Sequence, residues 1–162
     1  MKKINKFIIL FILIITVSSC AGYEPIFNIS KIQFEIAEYS IQGNKKLGKS
    51  IYSKLNNLSK AYKDNSDKKS INLLIKVLKE KKATAKDSAG KILEYRIKLS
   101  THVVAEDYLT GKKILDHNFT YSLSYKVQDQ YSQTIDFENK TIINLMERTY
   151  QELLVKLSEA IK

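Results

Sequence analysis

One cysteine and two histidines are the residues of this 162-residue chain best suited to nucleophilic, acid–base or metal chemistry. Cys20 has no second cysteine to pair with, so it is a free or intermolecular thiol, a small buried residue, or a residue that carries a covalent lipid. His102 and His117 lack the Cys, His or carboxylate partners at short spacing that metal sites use. We therefore expect no metal site and no cofactor, with His117 packed on a strand and His102 exposed.

Catalytic sequence motifs are also missing from the chain. Ser88-Ala89-Gly90 does not complete the G-x-S-x-G pattern of a nucleophile elbow, and the five glycines form no phosphate-binding loop. The sequence therefore predicts that the protein is not an enzyme. The competing hypothesis is a periplasmic hydrolase with scattered catalytic groups, which predicts a deep pocket lined by convergent polar side chains.

The start of the chain has the pattern of a targeting segment. Lysines near the N-terminus are followed by the apolar run from Phe7 to Val17, which is shorter than the roughly 20 residues that span a bilayer. A positive start, a short apolar run and small residues are typical of a secretory signal. We predict a signal peptide over residues 1–19, a lipidated tether over 20–30 and a single α+β domain over 31–162.

Val17-Ser18-Ser19-Cys20 resembles the lipobox of bacterial lipoproteins, in which small residues precede a cysteine whose sulfur receives diacylglycerol. This resemblance favours lipidation of Cys20 over the two other hypotheses for its thiol. Two or more acyl chains hold a protein stably on a membrane, whereas one chain holds it only reversibly. Ala21 follows the cysteine where lipoproteins retained in the inner membrane carry Asp. The resemblance therefore implies attachment to the outer membrane, on its periplasmic side.

Four segments alternate between apolar and polar residues, as half-buried strands do. We predict the first strand over residues 31–36, the second from Ile71, the third from Leu93, and the fourth from Leu115 to Tyr125. The turn at Thr110-Gly111 joins the last two strands as an antiparallel hairpin.

Two further segments repeat their apolar residues with helical spacing. One runs from Leu47 to Tyr62, and the other ends the chain, with Thr134 or Asp136 as its predicted cap. The resulting order β-α-β-β-β-α predicts an α+β fold, a two-layer sandwich in which a four-stranded sheet is covered by two helices.

The chain carries a formal net charge of +10, and all but Arg96 and Arg148 of its 27 basic residues are lysines. Bidentate phosphate recognition usually recruits arginine, and no nucleic-acid-binding motif is present, so nucleic acid is not an expected partner. The positive charge is either functional or a reflection of an AT-rich genome. Its densest stretch is a predicted connection over residues 79–91, which is either a solvated loop or a contact for anionic lipid headgroups. The candidate contacts are Lys79, Lys81, Lys82 and Lys86.

Tyrosines are concentrated on the fourth predicted strand, where residues 119–125 read FTYSLSY. Tyrosine on a strand usually packs in a half-buried surface. Because tyrosine is also enriched in protein interfaces, Tyr121, Tyr125 and the nearby Tyr131 are candidate contacts for a protein partner.

Residues 20–27, CAGYEPIF, are similar to the C-G-[FY]-x-P-[LF]-[YF] opening of the alphaproteobacterial lipopolysaccharide-assembly lipoproteins (LptE), with Ala21 as an extra residue. The likeness extends over nearly the whole mature chain. It includes Ala83-Thr84-Ala85 before the third strand, the Thr110-Gly111 turn and the leucine-rich end of the last helix.

The resemblance implies a protein that sits inside, and helps assemble, the LptD-type β-barrel of the outer-membrane lipopolysaccharide translocon. The implied partners are this barrel, lipopolysaccharide and the membrane. Within that role, we hypothesise from their density that the four lysines contact lipopolysaccharide phosphates, and the three tyrosines are candidate contacts for the barrel. The alternative function is a membrane-tethered auxiliary lipoprotein of a phospholipid transport system, which would share the anchor and the domain.

Overall fold

Four strands and two helices follow one another in the order β-α-β-β-β-α in the computed structural model, which describes residues 33–61 and 68–161. This order, the four-stranded sheet and the two helices confirm the predicted α+β fold. The elements are β1 (Phe34–Gly43), α1 (Lys45–Ala61), β2 (Lys69–Lys86), β3 (Ile92–Asp107), β4 (Lys113–Lys126) and α2 (Tyr131–Ala160).

The strands lie side by side in the order β1-β2-β3-β4. β1 and β2 are parallel, so the chain must return along the sheet between them, and α1 makes this crossover. β3 is antiparallel to both β2 and β4. The sheet therefore has two distinct ends. We call the end where β1 begins and the β3–β4 turn lies the proximal end, and the end with the β2–β3 turn the distal end.

Both helices pack on one face of the sheet, because alternate residues of every strand are apolar and point to that face. The core includes Phe34, Ile71, Ile75, Ile97, Leu99 and Phe119 from the strands, Ile51 and Leu55 from α1, and Leu145, Leu153 and Leu157 from α2.

Two glycines allow α1 to follow β1 closely. Gly43 has a φ of +71°, and a Cβ there would lie 2.2 Å from the carbonyl oxygen of Val77. A Cβ at Gly48 would meet Ile41 Cγ2 at 2.5 Å. Between them, the Asn44 side chain accepts a hydrogen bond from the backbone N–H of Leu47 at 3.2 Å, as a helix-capping residue does.

The opposite face of the sheet, which we call the open face, carries no helix among residues 33–61 and 68–161. Polar side chains pair across it; for example, the hydroxyl oxygens of Ser100 and Thr120 are 3.3 Å apart. By alternation and register, the open face also carries Lys76, Arg96, Lys98, His102, Asn118, Ser122 and Ser124.

The first strand differs from its prediction over residues 31–36. β1 runs from Phe34 to Gly43, while residues 31 and 32 lie outside the described part of the chain. A register shift between Ile36 and Glu38 interrupts the alternation of side chains. The prediction followed the alternation of apolar and polar residues, so the predicted strand ended at the bulge, where that alternation breaks.

The prediction of a lysine-dense connection over residues 79–91 is also wrong. β2 continues to Lys86, so all four candidate lysines lie on a strand and not in a loop. Backbone pairing with β3 maintains the strand through this polar stretch, with partners that include Lys79↔Leu99 and Lys81↔Ile97.

Neither Thr134 nor Asp136 caps the last helix. α2 begins at Tyr131 with Gln130 at the N-cap, which makes no side-chain capping bond. Thr134 lies inside the first turn, and its hydroxyl accepts a hydrogen bond from the Gln128 N–H at 2.8 Å. The helix therefore starts earlier than its apolar pattern indicates. Tyr62, the predicted end of the first helix, lies outside the described residues.

Candidate functional site

The four candidate lysines lie at the distal end of the sheet, but they do not share one face. Because side chains alternate along a strand, Lys79 and Lys81 point to the same side as the core residue Val77, while Lys82 points to the open face. Lys86 ends the strand after two register shifts and is exposed. The strand therefore divides the predicted cluster into an inward pair and two outer lysines.

Glu138 of α2 joins the inward pair into an ionic cluster. Its carboxylate oxygens lie 2.6 Å from Nζ of Lys81 and 3.8 Å from Nζ of Lys79. The Tyr125 hydroxyl donates a hydrogen bond to the same carboxylate at 2.9 Å. Only 14% of the Glu138 side chain is exposed, so the cluster is shielded from solvent on the acidic side. This cluster ties the beginning of α2 to the far part of β2.

Aromatic rings complete the surroundings of Lys81. Its ammonium lies 4.3 Å from the centre of the Tyr95 ring and 5.6 Å from that of Tyr125, within reach of cation–π attraction. The two rings stack with their centres 5.9 Å apart. Lys81 is therefore held by one carboxylate and two rings.

The cluster shifts the ionisation of its members. Burial alone would lower the pKa of Lys81, but hydrogen bonds with Glu138 and Tyr125 outweigh it and raise the pKa. Burial would raise the pKa of Glu138, but hydrogen bonds from Lys81 and Tyr125 leave it lowered. Burial raises the pKa of Tyr125. At neutral pH the lysine and glutamate are charged and the tyrosine keeps its proton, so the ionic cluster persists.

The outer lysines are available to an external ligand. Lys82 contacts Glu80 at 3.7 Å, but both side chains are more than half exposed, at 78% and 53%. Such a pair is weak. The register places Arg96 opposite Lys82, and Lys98 lies two residues further along β3 on the same face. Arg96 and Lys98 are not among the predicted site residues, although they alternate with Tyr95 and Ile97, a pattern that could have assigned them to one face.

The three candidate tyrosines lie in different surroundings. Tyr125 is 5% exposed, and its hydroxyl is bonded to Glu138. Tyr121 is half-buried beneath Arg148, whose guanidinium carbon lies 4.6 Å from the ring centre. Tyr131, the first residue of α2, is 79% exposed. Tyr131 thus presents the most ring surface of the three, and the barrel contact of all three stays a prediction.

The histidines lie on opposite faces of the sheet. His102 Nε2 is 2.7 Å from Asp116 on the open face, and Lys113 is 2.7 Å from the other oxygen of that carboxylate. The His117 ring meets Phe119 edge-on at 4.6 Å on the helix side. Within residues 33–61 and 68–161, no group of three or more His, Cys, Asp or Glu side chains is arranged to hold a metal ion.

One shallow depression of about 250 Å³ lies on the sheet near β1. Glu38, Asn72 and Glu106 are among its lining residues, and the Asn72 side-chain oxygen is buried without a hydrogen-bond partner. Its lining includes no histidine and no cysteine. It therefore does not offer the nucleophile–base pair of a Ser–His or Cys–His hydrolase.

Cys20, the signal peptide predicted over residues 1–19 and the tether predicted over 20–30 lie outside the described residues. Among the helices that are described, neither combines the length and the apolar character needed to cross a bilayer.

Comparison with solved structures shows proteins of the same fold. Lipoprotein B of Nitrosomonas europaea, whose function is uncharacterised, is similar with a TM-score of 0.57 and 12% identity, covering 82% of this chain and 88% of its own. A protein of Caulobacter crescentus assigned as a lipoprotein has a TM-score of 0.53 and 14% identity, covering 76% and 88%. A minor lipoprotein of Acinetobacter baumannii has a TM-score of 0.50 and 14% identity, covering 76% and 93%.

No protein-family model matches the chain, and no curated protein matches it. At these identities the structural likeness establishes the shared fold. These three neighbours are lipoproteins of bacteria.

Proposed function

We propose that the protein is an outer-membrane lipoprotein, anchored through Cys20, that helps assemble and plugs the β-barrel of the lipopolysaccharide translocon. It contacts lipopolysaccharide during delivery to the cell surface, and it has no catalytic role. The observation that carries this proposal is a shared fold: solved structures similar to the chain belong to lipoproteins, and the chain itself has a lipobox after a signal-like segment.

The surface chemistry supports a plug. The lumen of a large outer-membrane barrel is polar, and a protein seated in it needs polar outer faces. The open face meets this need, since hydroxyl, amide and charged side chains alternate with the buried ones on β3 and β4. The apolar side of the sheet is already covered by α1 and α2. A filled core with polar faces suits a protein that acts through its outer surface.

The division of the lysines refines the proposed lipopolysaccharide contact. Lys79 and Lys81 share the Glu138 carboxylate, so a phosphate that approached them would compete with an existing ion pair. Lys82 and Lys86 face no such competitor of comparable burial. On the open face, Lys82 and its register partner Arg96 form the cationic pair best placed to bind a phosphate, while Lys86 is exposed at the distal end of β2.

An affinity pull-down from detergent-solubilised envelope tests the proposed partnership. The full-length lipidated protein should recover a β-barrel of translocon size in equal amount. Recovery of subunits of a phospholipid transporter instead would favour the alternative, a membrane-tethered auxiliary of such a system. Recovery of neither partner in stoichiometric amount would contradict both assignments.

A further inference from the structure

The β3–β4 turn at the proximal end exposes two apolar side chains. Leu109 is 86% exposed and Tyr108 is 48% exposed, and the exposed Lys112 follows them. An isolated exposed leucine is ordinary on a protein surface. An adjacent leucine and tyrosine at the tip of a turn, next to a lysine, form instead a small amphipathic projection.

The turn is held in one conformation by its own hydrogen bonds. The Asp107 carboxylate accepts the N–H groups of Leu109 at 3.1 Å and Thr110 at 2.9 Å, and also the Thr110 hydroxyl at 2.9 Å. These bonds lower the pKa of Asp107, so the carboxylate stays ionised. Gly111, with a φ of +67°, completes the turn. Because the backbone is already ordered, burying Leu109 in a partner would cost little further conformational entropy.

Backbone hydrogen bonds connect this turn to the place where the N-terminal segment joins the sheet. The carbonyl of Gln33, the first described residue, accepts a hydrogen bond from Lys69 N–H at 3.3 Å. The next residue, Ser70, accepts one from Tyr108 N–H at 2.9 Å. With strands about 4.8 Å apart, the turn lies roughly 10–15 Å from the start of β1.

The reach of the chain favours this end as the one nearest an anchor. From Cys20 to Gln33 the extended chain spans no more than about 45 Å. The distal turn lies the length of β2 further away, about 55 Å for a strand of 18 residues. If lipids on Cys20 hold the protein to a bilayer, the proximal end is therefore the end that the tether keeps close to that bilayer.

We propose that the turn of residues 107–112 inserts Tyr108 and Leu109 into the headgroup region of the bilayer that holds the anchor. This inference depends on the lipidation of Cys20 in the proposed function. Tyrosine is favoured at the membrane interface, leucine gains from partial burial among acyl chains, and Lys112 adds attraction to anionic lipids. Two side chains on a narrow tip suit insertion into lipid better than a protein interface, which needs about 800 Å² on each partner.

Site-specific fluorescence quenching tests the insertion in the full-length lipidated protein. Acylation blocks the Cys20 thiol, so Leu109→Cys provides one labelling site for an apolar environment-sensitive fluorophore, and Ala89→Cys provides a matched site on the distal turn. Both proteins are reconstituted into phosphatidylethanolamine–phosphatidylglycerol vesicles whose acyl chains carry a quencher. The label at position 109 should shift to the blue and lose most of its emission, while the label at 89 should do neither.

The outcomes separate this inference from the proposed anchor. If the protein floats with the vesicles but the label at 109 is not quenched, the insertion is wrong and the anchor stands. If the protein does not float, both are wrong. A second pair of variants isolates the leucine: a label on Tyr108→Cys should be quenched with Leu109 present and much less quenched in the Leu109→Asp background. Equal quenching in the two backgrounds would show that the leucine does not insert.

Discussion

The two hairpin turns of the sheet are both built around an aspartate and a glycine with positive φ, but they present different chemistry. At the distal turn, Asp87 accepts the N–H groups of Ala89 and Lys91, each at 2.9 Å, and Gly90 has a φ of +84°. At the proximal turn, which is one residue longer, Asp107 accepts the N–H groups of Leu109 and Thr110, and Gly111 has a φ of +67°. The tip residues are Ser88-Ala89 in the first case and Tyr108-Leu109-Thr110 in the second. The aspartate and the glycine thus fix the backbone conformation of each turn, so the tip residues can differ between the two turns.

The strands that lead to these turns differ in the same way. At the distal end β2 carries Lys79, Lys81, Lys82 and Lys86. At the proximal end the chain from the predicted anchor joins the sheet, next to an apolar tip. Under the proposed function and the inferred insertion of the proximal turn, one end faces lipid and the other faces the phosphates of a ligand. Substitutions at the two ends test this division.

Removing the anchor should have the largest effect. Cys20→Ala should abolish incorporation of labelled palmitate and leave the protein unprocessed or in the soluble fraction, because no other thiol exists in the chain to accept the lipid. Ser19→Ala is the matched control, since it keeps a small residue before the cysteine and should retain labelling. Continued labelling of Cys20→Ala would show that the lipid is attached elsewhere.

Glu138→Ala should destabilise the distal end. The substitution leaves Lys79 and Lys81 without their partly buried counter-ion and removes the acceptor of the Tyr125 hydroxyl, which should cost about 1–3 kcal/mol of unfolding free energy in urea. Glu80→Ala, which loses only the exposed contact with Lys82, should leave the urea midpoint nearly unchanged. Equal effects of the two substitutions would contradict a structural role for the ionic cluster.

Lowering the pH should weaken the stabilisation that the same ionic cluster provides. The pKa of Glu138 is lowered from its ordinary 4.5, so its stabilising contribution is present above that value and is lost as the pH falls through the lower folded-state pKa. The difference in unfolding free energy between the wild type and Glu138→Gln should therefore shrink below about pH 4.5. A difference that stays constant from neutral pH to acid would show that the Glu138 charge does not stabilise the fold.

Charge reversal at the two ends should affect ligand binding differently. Lys82→Glu with Lys86→Glu should weaken binding of purified lipopolysaccharide, by about 1 kcal/mol or more for each lysine at low salt. Lys112→Glu at the proximal end should weaken that affinity much less for each reversed charge, although it also reverses the charge of an exposed lysine. Isothermal titration at two salt concentrations checks both expectations. Equal losses for each reversed charge at the two ends would mean that net charge alone governs binding.

Replacing the turn glycines with alanine should have the smallest effect on stability, and the effect should be similar at the two turns. Gly90 and Gly111 have positive φ, and a Cβ at either position would meet nothing within 4 Å. Only backbone strain remains, so Gly90→Ala and Gly111→Ala should each cost about 1 kcal/mol in thermal or urea unfolding. A much larger loss in one of them would show that the two turns are not equivalent in construction.

The sequence predicts the fold well where apolar side chains enter the core. Ile71, Leu73, Ile75 and Val77 alternate into it, and their pattern locates β2 correctly. From Lys79 onward the strand has no apolar periodicity, because its inward side chains meet Glu138 and tyrosine rings instead of the core. Similarly, the first turns of α2 direct Thr134 and Thr141 inward, so a search for apolar spacing places the helix start too late.

The ionic cluster could not be predicted from the sequence, for a different reason. Lys81 and Glu138 are 57 residues apart in the chain, and nothing local relates them. Their contact depends on where α2 crosses the sheet, which packing of the whole helix determines. Placing the cations of the open face requires less information, because alternation along β3 assigns Arg96 and Lys98 to one side once the hairpin register is known.

The parallel pairing of β1 with β2 has a consequence for the order of folding. β2, β3 and β4 are joined by short turns, so they can pair as soon as each hairpin forms. Glu35 and its partner Ser70 are 35 residues apart, and all of α1 lies between them, so β1 must close a longer loop before it pairs with β2. The N-terminal strand β1 is therefore expected to join the sheet last, after β2, β3 and β4 have paired. Pulsed hydrogen exchange during refolding should protect amides of β3 before those of β1.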